Sequence, residues 1–230
     1  GKITDYFFGK NDIQLQTVRF IGDIEERLQE DYLRILRYFR FQGRIENPTW
    51  EKDTLNAIKS NVKGLTQISG ERIWMEMQKI LLGKNVKDIL VHLEKTGVTK
   101  NINLPLDNIA LAEKVSTMQS PIVPLASLMR NTNDVDAIVN SWKLSNAETQ
   151  LLAFLTMHKN TPLTQQSAEE FLVDETHQYF VYSLAKMQDK DAIANHIKNW
   201  EVPEFPVAGK DLISVGVKPG PNMGALLTKL

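Results

Sequence analysis

The chain has 230 residues, of which 42% are hydrophobic and 24% charged, with 27 basic against 28 acidic side chains and a formal charge of −1. That is enough chain for one large domain or two modest ones with real cores, and no apolar run approaches the ~20 residues needed to cross a bilayer, so no membrane span is expected. Cysteine is absent, which removes disulfides, thiolate zinc sites and cysteine nucleophiles together.

Along the chain, residues 1 to about 22 differ from the rest. GKITDYFFGKND lacks the basic-then-apolar order of a secretory signal. Ile3, Tyr6, Phe7 and Phe8, then Val18, Arg19, Phe20 and Ile21, read as two short extended segments around a turn at GKND. So short a pair has no stable fold of its own. It is either a small hairpin packed on the helices or the last edge of a larger sheet. From Asp23 onward the pattern is helical. Helices are expected from near Asp23 and Asp31 to about Gln42, then over about 51–60, 69–82, 85–96, 107–118, 123–130, 133–142, 145–158, 165–173, 175–187 and 189–199. Ser145 is the expected N-cap of AETQLLAFLTMHK. EVPEFPVAG, residues 201–209, carries two prolines and reads as an extended linker. Trp50, Trp74, Trp142 and Trp200 read as packing anchors. The result is a mostly α, bundle-like body with a short β remnant at its front.

Charge is unevenly spread. Residues 1–100 carry a basic surplus of three and the remainder an acidic surplus of four, so phosphate contacts are expected in the first half. His92, His158, His177 and His196 stand far apart, so no metal site and no histidine-based metal hydrolase is expected.

The densest signal is GDIEERLQEDYLRILRYFRFQGRI, residues 22–45. With Asp31 to Phe41 on a helix, Asp31 and Arg34 share a face, with Arg37 and Arg40 at successive turns beyond. Like charges so close repel and need an anionic partner. The opposite side is apolar: Tyr32, Leu33, Ile35, Leu36 and Phe39. A carboxylate beside a guanidinium matches the pairing edges of cytosine and adenine, which present an amino donor next to an unprotonated ring nitrogen. Guanine and uracil present the reverse, and a site built on such hydrogen bonds rejects them because buried groups are left unpaired. Arg37 and Arg40 would then meet phosphate or sugar.

GDIEERLQEDYLRILRYFRF closely resembles the motif block of class II CCA-adding enzymes, relatives of bacterial poly(A) polymerases. Glu30-Asp31-x-x-Arg34 matches that family's amino-acid template. The resemblance implies that Asp31 and Arg34 pair with incoming CTP or ATP, with Arg37 and Arg40 completing the nucleotide contacts. DYFFGKNDI, residues 5–13, is similar to the family's hinge motif, with Asp5 and Gly9 in the matching places. ISGERIWMEMQKIL, residues 68–81, is similar to the motif whose Glu71, Arg72 and Glu76, together with Glu30, brace the nucleotide-binding helices. FPVAGKDLISVGVKPGPNMGALLTKL, residues 205–230, resembles the family's tail. There a helix start at Gly220, near Lys218, would hold an RNA phosphate. The tail glycines equally serve tight turns and close packing.

The resemblance thus divides the chain into the edge of a nucleotidyltransferase head at 1–22, a nucleotide-selecting neck at 23–100, a helical body at 101–200 and the start of a tRNA-binding tail at 201–230. It implies transfer of C, C and A to tRNA 3′ ends. The family's two magnesium-binding carboxylates on a glycine-flanked strand and its Arg-Arg-Asp block are not in this sequence. No catalytic residue is therefore assigned, Mg2+ is expected to belong to a head that precedes Gly1, and the chain alone is expected to be inactive. Tyr6, Phe7 and Phe8 either stack on a terminal base or pack in a core. The alternatives are a poly(A) polymerase of the same superfamily and a non-catalytic helical RNA-binding module. YFRFQGRI and ISGERIW resemble the animal mitochondrial-type enzymes, which implies an intracellular site, mitochondrial, cytoplasmic or nuclear.

Overall fold

A computed structural model describes residues 4–203, 209–216 and Gly220. Among these residues the regular structure is entirely helical, with fifteen α-helices, one 3-10 helix and no strand. The expected β remnant is therefore a correction. GKND, read as a turn, opens helix α1 (Gly9–Gln14). Asp5 decides the outcome: its carboxylate accepts the N–H groups of Gly9 at 2.8 Å and Lys10 at 2.9 Å, two of the donors that a helix start leaves unpaired. Val18 to Phe20 has no regular structure, and Ile21 lies in a bend. Tyr6, Phe7 and Phe8 are exposed rather than core.

Helix α2 (Ile24–Glu30) starts where Asp23 accepts the N–H of Glu26 at 2.9 Å. Helix α3 (Arg34–Gln42) buries Ile35, Leu36, Tyr38 and Phe39 on one side. Helix α4 (Lys52–Asn61) runs into a 3-10 helix at Val62–Gln67, and α5 (Gly70–Leu81) adds Ile73, Trp74, Met77 and Ile80 to the same core. Then come α6 (Val86–Lys95), the short α7 (Val98–Asn101), α8 (Ile109–Val115) and α9 (Ile122–Leu128). The rest is α10 (Thr132–Trp142), α11 (Asn146–His158), α12 (Gln165–Val173), α13 (Gln178–Met187), α14 (Asp191–Asn199) and α15 (Gly209–Ser214). Helix α3 packs on α5 and α6, α5 on α9 and α10, α9 between α8 and α11, and α13 on α11, α12 and α14. The buried side chains form one continuous cluster from Leu28 to Ile197.

Several sequence readings have direct physical counterparts. Ser145 and Glu148 form a reciprocal capping box at the start of α11. Trp142 is buried and donates to the Ile102 carbonyl at 2.8 Å, while Trp74 stacks on it with ring centres 5.7 Å apart and donates to Glu148 at 3.0 Å. Trp50 lies flat on His92 at 3.9 Å and donates to Asp88 at 2.8 Å. Helix α9 is buried along its entire length, so its C-terminal carbonyls need an internal donor. Lys159 supplies it: the buried ammonium contacts the carbonyls of Ala126, Ser127 and Met129 and pairs with Asp107 at 2.9 Å.

Two glycines allow the contacts that set the position of α5 and of the α2–α3 junction. A Cβ on Gly70 would lie 1.8 Å from the Ser141 carbonyl oxygen, so the first turn of α5 meets the backbone of α10 directly. A Cβ on Gly64 would lie 2.2 Å from the Tyr32 ring, which therefore rests on bare backbone. Gly70→Ala forces α5 away from α10 and is expected to cost about 1–3 kcal/mol, read as a lowered midpoint in chemical denaturation. A midpoint equal to that of the parent would show that α5 slides without cost.

Candidate functional site

Helices α2 and α3 are not continuous, which changes the reading of the Asp–Arg pair. Asp31 caps the end of α2 with extended backbone (φ −159°, ψ 103°), and its side chain accepts the Leu33 N–H at 3.2 Å. Short polar side chains compete for backbone donors in this way and break helices. Asp31 is thus off the α3 face, and its carboxylate reaches across to α5, where a terminal nitrogen of Arg72 meets both oxygens at 2.9 and 3.1 Å. Arg34 turns back instead. It donates to the Arg27 carbonyl at 2.7 Å and pairs with Glu30, which Arg27 also holds at 2.7 Å. Asp31 and Arg34 are adjacent through the chain but engage different partners.

The outer arginines find their anion inside the protein. Glu76 of α5 is 4% exposed. Arg40 approaches it at 2.9 Å, Lys79 at 3.7 Å and Arg37 at 3.8 Å. The Arg40 guanidinium also lies 4.4 Å from the centre of the Phe41 ring. Arg40, expected to touch nucleotide, is therefore mostly buried as the counter-ion of Glu76. The pairing has a clear cause: a carboxylate at that depth is too costly to leave unpaired. Arg37 is more exposed than Arg40 and keeps a free side.

What remains open is a cleft of about 260 Å³ whose walls include Arg19, Arg27, Arg34 and Arg37, with Tyr38 and Phe41 as aromatic surfaces. Tyr38 stacks on Phe20 at 5.7 Å, accepts from Gln42 at 3.0 Å, and has its hydroxyl pushed up by burial. The Arg34 guanidinium, hydrogen-bonded to Glu30, holds that carboxyl below its usual range. Four guanidinium groups around an aromatic-walled cleft suit an anion carrying a planar ring. The sequence reading missed Arg19 and Arg27. Arg27 lies on α2 and Arg34 opens α3, so the break at Asp31, not a helical spacing, brings them together. Arg19 is tied to Asp12 at 3.0 Å and to the Phe7 carbonyl at 2.8 Å, contacts that spacing does not reveal.

The other candidates lie outside this cleft. Asp5 and Gly9 come together at the start of α1, where the Lys10 and Gly9 N–H groups hold the Asp5 carboxyl low. Glu71 is exposed in the first turn of α5. Lys218 lies outside the described residues, and Gly220 stands at φ 157° with open space around it. The described residues contain no group of three or more His, Asp or Glu side chains placed to hold a metal ion. They do not fit magnesium.

Residues 49–108 match the family described as "Probable RNA and SrmB- binding site of polymerase A". Over its full length the chain is 38% identical to the mouse protein named CCA tRNA nucleotidyltransferase 1, mitochondrial, and spans 57% of it. Among solved structures it resembles the CCA-adding enzyme of Bacillus stearothermophilus in complex with CTP, with a TM-score of 0.76, 22% identity, and coverage of the whole chain against 63% of that one. It also resembles the Thermotoga maritima CCA-adding enzyme complexed with tRNA, with a TM-score of 0.58 and 18% identity over 97% of this chain and 61% of that one. At those identities the structural likeness establishes the fold.

Two outcomes test the charge network. Glu76→Gln is expected to cost about 3–5 kcal/mol by stranding Arg40, and combining it with Arg40→Met recovers most of the loss; denaturation of both variants reads this, and an unharmed Glu76→Gln protein contradicts it. Separately, because the Glu30 carboxyl is depressed in the folded state, its contribution to stability is present above the ordinary glutamate range and is lost as pH falls through the depressed value. Arg34→Ala is expected to return Glu30 toward ordinary titration in carboxyl-resolved NMR, and an unmoved titration would mean that Arg34 is not its main partner. The chain is homologous along its whole length to the CCA tRNA nucleotidyltransferases, and it spans a little over half of those it matches.

Proposed function

We propose that this chain is the nucleotide-selecting and RNA-holding part of a tRNA nucleotidyltransferase that adds C, C and A to tRNA 3′ ends from CTP and ATP. The observation that carries the reading is the arginine cleft beside the α2–α3 break. Arg34 and Arg37 line it, and Asp31 stands three residues before Arg34, held by one nitrogen of Arg72. A carboxylate offers about four acceptor sites, so Arg72 orients Asp31 and leaves room for a base amino group. Arg34 spends one terminal nitrogen on Glu30 and the Arg27 carbonyl, which leaves other N–H groups for an unprotonated ring nitrogen. Glu76 and Arg40 fix the spacing of α3 and α5, so both readers are held on a stiff frame. Magnesium and the triphosphate grip are assigned to a separate head domain. Residues 23–100 act as the neck and 101–200 as the body that supports the RNA. Mitochondrial residence is supported by the mouse relative's name.

A poly(A) polymerase is the second reading, favoured by the family match over residues 49–108. The two differ in CTP use.

The test rejoins the chain to a matching head and measures incorporation of all four nucleotides into tRNA lacking its 3′ end. Addition of C and A alone is expected. Asp31→Ala and Arg34→Ala each are expected to lower incorporation by roughly 10- to 100-fold or to admit G and U, since a buried partner left unpaired costs about 1–3 kcal/mol. Addition of A alone selects the poly(A) reading, and indifference of base choice to both substitutions removes the template assignment.

A further inference from the structure

Beyond the arginine cleft, a second cavity of about 530 Å³ lies between α13, α14 and the turn after α8. Its walls combine two tyrosines, Tyr179 and Tyr182, with two lysines, Lys186 and Lys198, and no carboxylate. The tyrosine ring centres lie 6.4 Å apart with their planes tilted by 30°, and Tyr179 is 36% exposed. The Lys198 ammonium sits 4.8 Å from the centre of the Tyr182 ring, which holds a positive charge inside the cavity without neutralising it. Lys186 is paired with Asp191, so Lys198 is the cation with charge to spare.

The cavity is not isolated. Thr117 and Gln119 also wall a neighbouring trough of about 830 Å³ lined by Arg44, Lys79 and Lys84, again without a carboxylate. Arg44 also walls the next hollow, which shares Arg19 and Phe41 with the arginine cleft. Cationic side chains therefore recur on the hollows between the α2–α3 break and the tyrosines, where the one carboxylate of these intervening walls, Asp12, is paired with Arg19. A flexible polyanion with planar side groups fits this combination: phosphates follow the cations and a ring settles on an aromatic face.

We propose that the Tyr179–Tyr182–Lys198 cavity is a stacking site for one unpaired nucleobase and its adjoining phosphate. The base lies on the exposed face of Tyr179, and Lys198 meets the phosphate. Gln119, exposed on the cavity wall, offers an amide to the base edge. The site rests on the reading of the chain as RNA-holding, and it adds a fixed anchor point remote from nucleotide selection.

The experiment measures binding of a fluorescein-labelled 12-nucleotide single-stranded RNA, its abasic counterpart and free AMP to the 230-residue chain. Base-bearing RNA is expected to bind more tightly than abasic RNA. Tyr179→Ala is expected to weaken only the base-bearing RNA, by roughly 5- to 100-fold, while Tyr179→Phe binds as the parent does. Lys198→Gln, at an exposed position, weakens both RNAs and keeps the fold. Competition by AMP at the concentration where RNA binds identifies a free nucleotide as the source of the base, and its failure to compete identifies an RNA strand; either is the same stacking chemistry. Parent binding that is indifferent to Tyr179→Ala and Lys198→Gln overturns the cavity and leaves the RNA reading standing. No binding of any RNA by the parent chain overturns both.

Discussion

A single buried carboxylate organises the functional end of this molecule. Glu76 lies 4% exposed on α5 and draws Arg40, Arg37 and Lys79 toward it. Because its desolvation is expensive unless the guanidinium stays close, the distance between α3 and α5 is not free to drift. The same two helices carry Arg34 and Arg72, so the groups around the cleft inherit that rigidity. Gly70 works from the other side, letting α5 seat directly on the backbone of α10. Position in the site is thus set by one ion pair and one missing side chain, and the arginines that remain exposed need only meet a ligand.

The helical architecture was legible because helical periodicity, caps and breaks act over a few residues. Ser145 with Glu148 is a local rule that the fold obeys, and the four tryptophans contain enough apolar surface to be buried or half-buried. What escaped was whatever depended on partners distant in sequence. Asp31 looked like the first step of a helical ladder, but it caps the end of α2, before the ladder helix begins, and pairs 41 residues away with Arg72. That Arg40 also serves as the counter-ion of Glu76 is not visible from spacing, because Glu76 lies 36 residues further along the chain. Lys159 gave no sign of burial, since the demand it meets comes from the end of α9 some 30 residues earlier. GKND read as a turn, and only the reach of Asp5 to Gly9 and Lys10 makes it a helix start.

The site has a consistent electrostatic logic. Acidic groups close to the cleft are each spoken for: Asp12 by Arg19, Glu30 by Arg27 and Arg34, and Asp31 by Arg72. None of these pairs is deeply buried, so each is worth little on its own. Their joint effect is to hold guanidinium groups in fixed directions around a small opening. The trough that leads away through Arg44, Lys79 and Lys84 repeats the pattern with lysines, which suit phosphate as simple point charges. On the proposed reading, a nucleotide and a strand of RNA would meet different cations.

The central claim is that the base of an incoming nucleotide is read at the α2–α3 break. The most direct measurement is photochemical crosslinking of CTP to the chain joined to its head domain, with the modified peptides mapped by mass spectrometry. The account predicts crosslinks within residues 27–41, abolished by excess ATP and untouched by excess GTP. Crosslinks that avoid this segment, or that GTP removes as readily as ATP, would contradict it.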